Sequence, residues 1–305
     1  MKLQYKKEEK IRLDKFLSDN LPDLTRSQIK KQILAGLVLV NEKSSSVHNW
    51  LRKDDLIEIV EKNPSNVKKT IPKKLRPKVL EQNSEYLILE KPAGLLVHPT
   101  EKLETDTLTD WLRDNFPKIK KVGDDPMRPG IVHRLDKDVS GLMVIALNND
   151  SFDSLKKQFQ ERTVKKEYLA LVHGAMKEEE GEINTRLERD KETGLMKAQR
   201  TLKSGKTAIT IYRLEQNYIN YSLIKVHIKT GRTHQIRAHL YSIGHSIVGD
   251  KLYQTKDIRK KKKGVSEVRI FLHAYYLSFQ DLNKAWQEFK SPLPKELRDF
   301  LKTIK

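Results

Sequence analysis

The chain has 305 residues, about two ordinary domains by length and enough to bury a sizeable hydrophobic core, which excludes a lone helical module or a disulfide-stapled miniprotein. Lysine and arginine number 60 against 41 aspartates and glutamates, and the net charge of +19 points to a polyanion, with nucleic acid the leading class of partner. Cysteine is absent, which removes disulfides, thiol nucleophiles and cysteine-rich metal centres. The polar start from Met1 to Lys10, with no apolar run behind it that approaches a bilayer span, leads us to expect a soluble cytoplasmic protein with no membrane partner.

In chain order, Leu13, Phe16 and Leu17 recur at helical spacing until Pro22 and Asp23 break the run. Thr25 followed three residues on by Gln28 is a capping box for a second helix, with Ile29, Ile33 and Leu34 on its apolar face and Gly36 at its end. Leu37 to Asn41 and Leu56 to Val60 read as strands, the second entered through the turn Lys53-Asp54-Asp55. Arg26 and Lys30 lie four apart with Lys31 beside them, and Arg12 and Lys15 open the first helix, so that several cations converge on one face. Such a face is either a phosphate-binding surface or a solvated lysine-rich one. The order RLDKFL, TRSQIKKQI and a glycine turn into VLVN resembles the S4 RNA-binding domain. The resemblance puts Arg12, Arg26, Ser27, Lys30 and Lys31 on the RNA-facing side. Residues 61–83 carry Pro64, Pro72 and Pro77 among many lysines with little periodicity and read as a basic linker. The expected division is therefore 1–60, linker 61–83, and 84–305.

Beyond the linker, Tyr86 to Glu90 and Leu95 to His98 read as strands about the turn Lys91-Pro92-Ala93-Gly94, and Thr107 to Phe116 as a short helix buried through Leu108, Trp111 and Leu112. A polar loop from Lys118 to Gly130 leads into the cluster HRLDKDVSG, residues 133–141, and then an apolar strand, Met143 to Leu147. A dense polar cluster abutting a buried strand suits an active-site loop, although Asp136 alone would equally suit a turn or cap paired with Arg134. A helix is expected from Ser151 to about Arg162, a strand from Lys165 to Val172, a charged hairpin from Glu178 to Lys206 turning near Gly194 and Gly205, and an antiparallel pair at Thr207 to Leu214 and Tyr218 to Ile228.

In KTGRTHQIRAHL, residues 229–240, Gly231 and Thr233 suit a turn and an N-cap, and Ile236 and Leu240 give the helix a buried stripe. His234 and Arg237, three apart, share a face; Arg237 is either a surface cap or the partner of a buried carboxylate. His133, His234, His239 and His245 invite zinc, but His234 and His239 lack the same-face spacing of an HExxH helix, so no metal is expected and the histidines read as hydrogen-bonded supports. A turn-rich segment SIGHSIVGDKLY, a cationic run from Arg259 to Lys263, a last strand from Phe271 to Phe279 and a closing helix after Pro292 and Pro294 complete the chain.

HRLDKDVSG, KKEYLALVHG and KTGRTHQIRAHL in this order resemble the RluA-type pseudouridine synthases, and the S4-like start resembles the RluD-like members. The resemblance implies an α+β protein: a small S4 domain of two helices and short strands, joined to a catalytic domain on a mixed, mainly antiparallel sheet with flanking helices. It further implies isomerisation of uridine to pseudouridine in structured RNA, large-subunit ribosomal RNA above all, with transfer RNA the alternative. That reaction involves no redox step and no external energy, so no cofactor is expected, and a monomer is the expected state. Asp136 becomes the catalytic carboxylate, Arg237 its partner, Tyr168 the ring that stacks on the base and is implicated as a base, and Arg134 the residue that helps displace the flipped nucleotide. His133, Arg232 and His234 fall among the RNA-contacting residues, and Leu272 packs the uracil. Val139, Gln254 and Asp281-Leu282 depart from the usual family text without removing this constellation. The residue types suit the chemistry, because a carboxylate can attack C1′ or stabilise positive charge there, and a nearby guanidinium orients it. A covalent Asp136 ester and a glycal route both remain open, as does a non-catalytic RNA-binding platform.

Overall fold

The computed structural model describes residues 2–21, 24, 26–34, 37–47, 49–59, 75–100, 104–190, 192–199, 204–255, 258 and 268–304, with the side chains of Arg26, Ser27, Lys31, Leu34 and Ser44 outside the description. The expected capping residue Thr25, the break at Pro22 and Asp23, the end at Gly36, most of the expected linker and the cationic run from Arg259 to Lys263 lie outside the described residues. The chain forms two compact units, residues 1–70 with 99–106 and residues 71–98 with 107–305.

The first unit runs β1 (Lys2–Gln4), β2 (Ile11–Arg12), α1 (Leu13–Asn20), α2 (Arg26–Leu34), β3 (Val38–Val40), β4 (Lys43–Ser44), β5 (Trp50–Leu51) and β6 (Leu56–Ile59). Leu13 and Leu17, one helical turn apart, and Ile29 and Ile33, likewise, bury their stripes in one core with Val38, Leu51 and Ile57. The sheet order is β1-β6-β3-β4, all antiparallel, with β2 and β5 paired separately. The two helices and the strands at 38–40 and 56–59 follow the hydrophobic pattern; β1, β2, β4 and β5 are too short to show one.

The second unit contains β7 (Lys78–Gln82), β8 (Tyr86–Lys91), α3 (Leu108–Asn115), β9 (Ser140–Ala146), α4 (Asn149–Glu161), β10 (Lys165–His173), β11 (Glu180–Arg189), β12 (Met196–Gln199), β13 (Lys206–Asn217), β14 (Tyr221–Ile228), α5 (Gln235–Ser242), β15 (Leu272–Gln280), β16 (Trp286–Lys290) and α6 (Lys295–Thr303). The strands form one ten-stranded mixed sheet in the order β12-β11-β13-β14-β10-β15-β9-β8-β7, with β16 added alongside β15. Every pairing is antiparallel except β15 with β9, where His273 lies opposite Ser140 and Ala274 opposite Gly141. Gly141 makes that crossing possible: its φ is +125°, and a Cβ there would lie 2.3 Å from the Ala274 carbonyl oxygen. The parallel pairing thus seats the chain that has just left Asp136 directly against β15. The following strand β9 is buried at all seven positions, as a central strand covered on both faces must be.

Several expectations change. Lys78–Gln82 is not linker but the edge strand β7, antiparallel to β8; all five residues are exposed, so no alternation marks it in the sequence. Leu95 to His98 is not a strand. Leu95 and Val97 are buried, but the carbonyls of Leu96 and Val97 accept from the amides of Leu108 and Thr109 at 2.8 and 3.0 Å, so the backbone is committed to the start of α3 instead of a ladder. The charged strand β16 was not expected; its Phe289 packs against the rings of Tyr86 and Phe279. Thr107 caps α3 in a capping box with Asp110. In contrast, Thr233 does not cap α5. That place belongs to His234 in the left-handed conformation, φ 52°. α5 is also buried on more than the expected stripe, because Ala238 packs with Leu187, Ala208 and Tyr253 while the sheet covers Ile236 and Leu240. Among the described residues no helix is long and apolar enough to cross a membrane.

Candidate active site

The segment carrying Asp136 is tied at both ends before any ligand is considered. Leu135 and Val139 are buried on either side of it. The ammonium of Lys91, 0 % exposed, donates to the carbonyls of Pro92, Leu95 and Lys137 at 2.9, 2.8 and 2.9 Å, and the Gly94 amide also donates to the Lys137 carbonyl at 2.9 Å. Burial pulls the Lys91 pKa down to about 7 against the opposing charges of Asp138 and Asp136. The residue next to Asp136 is therefore held by a buried cation that local sequence presents as part of a turn.

Asp136 accepts from Arg237 Nη1 at 3.3 Å, and its side chain stays 20 % exposed. Arg237 has a second and closer partner: Nε and Nη2 fork onto the two carboxylate oxygens of Asp250 at 2.7 and 2.9 Å, with Asp250 1 % exposed. Burial works against the Arg237 charge, yet the hydrogen bonds and charges of Asp250 and Asp136 outweigh it and leave the guanidinium above its ordinary pKa. The expected pairing of Arg237 with Asp136 is present, but Asp250 does most of the holding. Asp250 in turn accepts from the amides of Leu252 and Tyr253 at 2.8 and 3.1 Å. The guanidinium also lies 5.1 Å from the centre of the Tyr253 ring.

Tyr168 sits on β10, with Val226 of β14 opposite on one side and Ala274 of β15 on the other. Its phenol is raised above its ordinary pKa by burial and then by the charge of Asp136, so it stays protonated at neutral pH and offers a ring face and a donor. Asp136, Arg237, Tyr168 and Leu272, from four separate segments, line one cavity of about 530 Å³ together with His133, Arg134, Arg232 and His234. Arg134 is exposed and donates to His98 Nε2 at 3.0 Å. Arg232 reaches the Thr207 carbonyl at 3.3 Å.

His133 is largely committed to the scaffold. Its Nε2 accepts the Val144 amide at 3.1 Å, its ring stacks on Phe159 at 4.6 Å, and burial pushes its pKa down to about 3. His239 is a support in the same sense, bonded to Thr210 and Thr185 at 2.9 and 3.1 Å. Among the described residues no cluster of three or more histidines and carboxylates could hold a metal.

Three functional candidates escaped the sequence. Asp250 and Lys91 carry no local signal. Lys166 does, since it stands two residues before Tyr168 and so on the same strand face, about 7 Å along it. It lines the same cavity, its Nζ lies 4.9 Å from the centre of the Phe159 ring, and burial pulls its pKa down to about 8. Among the described residues no ion pair with a carboxylate is seen for it, and burial alone moves its pKa. In the first unit Arg12 forks onto Asp14 at 2.9 and 2.8 Å, and Lys30 is half-buried.

The family model for RNA pseudouridylate synthase matches residues 85–242, and the model for the S4 domain matches residues 11–45. The chain belongs to the RNA pseudouridine synthase family. It is 38 % identical to an uncharacterized RNA pseudouridine synthase of Aquifex aeolicus, over 97 % of this chain and 95 % of that one. It is 34 % identical to the ribosomal large subunit pseudouridine synthase D of Borreliella burgdorferi, over 97 % and 90 % respectively. Among solved structures, human RNA pseudouridylate synthase domain containing 1 is similar with a TM-score of 0.59 and 26 % identity, covering 73 % of this chain and 86 % of that one. The protein is an RNA-binding isomerase, and its S4 domain and mixed α+β catalytic fold are those of the family.

Proposed function

We propose that the enzyme converts uridines of large-subunit ribosomal RNA to pseudouridine as a cytoplasmic monomer, with Asp136 as the carboxylate that acts at C1′. The observation that carries this assignment is the position of Asp136: it is partly open to a cavity of about 530 Å³ while a buried guanidinium aims it. The relatives whose printed names specify the large ribosomal subunit support the choice of RNA.

The reaction breaks the N1–C1′ bond, turns the detached uracil within the site and rejoins it through C5, which loses its hydrogen as a proton to solvent while the freed N1 takes a proton up. Asp136 serves as nucleophile at C1′ or as the counter-charge to an oxocarbenium-like sugar. Tyr168 stacks on the uracil and Leu272 packs its edge, holding the ring while it turns. Because the Tyr168 phenol is protonated at neutral pH, it acts first as a donor, and it can act as a base only by passing its proton on. A uridine must leave its stack to reach this cavity, which costs a few kcal/mol, on the order of one base step. Arg134 at the mouth and the charge of Lys166 offset that cost by holding the strand that has lost its base and a phosphate beside it. The S4 domain adds a second grip on the same RNA.

The test is release of tritium from large-subunit ribosomal RNA carrying 5-tritiated uridine, together with a map of pseudouridines in cells lacking the gene. Release, and loss of one or more large-subunit pseudouridines, supports the proposal. Loss only from transfer RNA moves the substrate, and no release from either RNA leaves a binding platform.

A further inference from the structure

His234 stands between two partners that ask different things of its ring. Its Nε2 lies 3.9 Å from Asp136 Oδ2, and its Nδ1 lies 3.1 Å from the Tyr253 hydroxyl. Which nitrogen bears the hydrogen decides what Asp136 faces. With the hydrogen on Nδ1, a nitrogen lone pair would point at the carboxylate oxygen; with it on Nε2, an N–H donor does.

Tyr253 supplies the answer. It is 3 % exposed, and its oxygen already accepts the backbone N–H of Met196 at 2.9 Å. A buried hydroxyl hydrogen needs an acceptor of its own. Among the described residues, the acceptor in reach of that hydrogen is His234 Nδ1. A neutral imidazole that accepts at Nδ1 carries its hydrogen at Nε2. Burial keeps His234 below its ordinary pKa, against the charges of Asp136 and Asp250 and with those of Arg237 and Arg134, so the neutral ring is the form to consider.

We infer that Tyr253 is a positioning residue that locks His234 in the Nε2–H tautomer, so that His234 presents a hydrogen-bond donor to Asp136. The lock has its origin outside the cavity. Met196 opens β12, the outermost strand of the arm β11–β12, and Leu195 and Met196 pack with Tyr253 and Ala238 of α5. A chain of three links therefore runs from the arm backbone through Tyr253 and His234 to the carboxylate. At 3.9 Å the last link is longer than a hydrogen bond, and it becomes one only if the carboxylate shifts toward the ring.

The functional part rests on the assignment of Asp136 above, whereas the tautomer does not, and the two are measured separately. Long-range proton–nitrogen correlation spectra of the full chain, labelled with 15N in the histidine rings, read the tautomer at neutral pH without RNA. The His234 signals are assigned by their loss in His234→Gln. The expected result is an Nε2–H pattern in the wild type that moves toward exchange between tautomers in Tyr253→Phe. Tritium release under single turnover should fall about ten- to hundredfold in Tyr253→Phe, the rate equivalent of one charge-assisted hydrogen bond, with RNA affinity held within about twofold on the same scale. An Nδ1–H pattern in the wild type overturns the inference whatever the RNA substrate, and needs no variant to fold. A Tyr253→Phe protein with unchanged tautomer and rate overturns it as well. Absence of tritium release from the wild type would instead count against the proposed function.

Discussion

The carboxylate side of the cavity and its ammonium side treat charge in opposite ways. Around Asp136 the charges are answered: Arg237 takes two carboxylates, Asp250 takes a guanidinium fork and two amides, and His234 faces Asp136 with one nitrogen and Tyr253 with the other. Lys166 in the same cavity has an aromatic face and no carboxylate partner among the described residues, and burial has drawn its pKa down to about 8. The difference separates two tasks. A group that must act at C1′ has to be aimed before the substrate arrives, and a paired environment aims it. A cation left without its counter-ion is poised for an anion brought by the ligand, and in an RNA that anion is a phosphate.

The largest expected effect comes from unpairing the carboxylate side. Asp250→Ala leaves the Arg237 charge buried with Asp136, at 3.3 Å, as its one remaining carboxylate. We expect a loss of about 3–5 kcal/mol in urea unfolding, the size found when a buried ion pair loses one member. A loss below about 1 kcal/mol would mean that this side is no more tightly built than a surface ion pair.

Lys91→Met comes next, because it separates a cation that has partners from one that lacks them. The carbonyls of Pro92 and Leu95 lose the ammonium donor, while that of Lys137 keeps the Gly94 amide, at a cost of about 2–3 kcal/mol after the relief of a buried charge. The pH dependence follows from the direction of its shift. The folded pKa of about 7 lies below the ordinary lysine value of 10.5, so the unfolded chain binds the extra proton between them. Wild-type stability should gain from this group as pH rises from about 7 toward 10, and Lys91→Met should lack that gain.

The smallest effect tests the ammonium side. Lys166→Met should weaken RNA binding about tenfold and lower the salt dependence by roughly one counter-ion. An anion binds the protonated amine, so wild-type affinity should be full below pH 8 and fall as pH rises through about 8. The variant should show no such step. Unchanged affinity and an unchanged pH profile would make Lys166 a packing residue and erase the contrast between the two sides.

How much of this was legible depended on whether the determining contact was local. The stripe of Leu13 and Leu17 and the apolar run of β9 are written in neighbouring residues, and both formed where the pattern places them, with β9 opening three residues earlier, at Ser140. Asp136, Arg237 and Tyr168 each had an ordinary structural alternative on local pattern and were singled out through the resemblance that their motifs carry; the fold brings all three to one cavity. Asp250 was not, because nothing near Gly249 tells that a guanidinium thirteen residues earlier will need a second carboxylate. Lys91 was hidden similarly, since its role depends on a carbonyl at position 137. β7 and β16 lack an apolar alternation to read, being edge strands with charged or exposed residues. The αL cap at His234 replaced the expected Thr233 because Gln235 turns back to accept from Thr230 and the Arg232 amide, fixing the loop from its C-terminal side.

Catalysis is tested most directly at the side chain of Asp136. Asp136→Asn keeps the shape and removes the charge, so tritium release from 5-labelled large-subunit ribosomal RNA should drop by about a thousandfold or more, with RNA binding and urea stability essentially those of the wild type. An Asn variant that releases tritium at the wild-type rate would contradict the account, whatever RNA it was given.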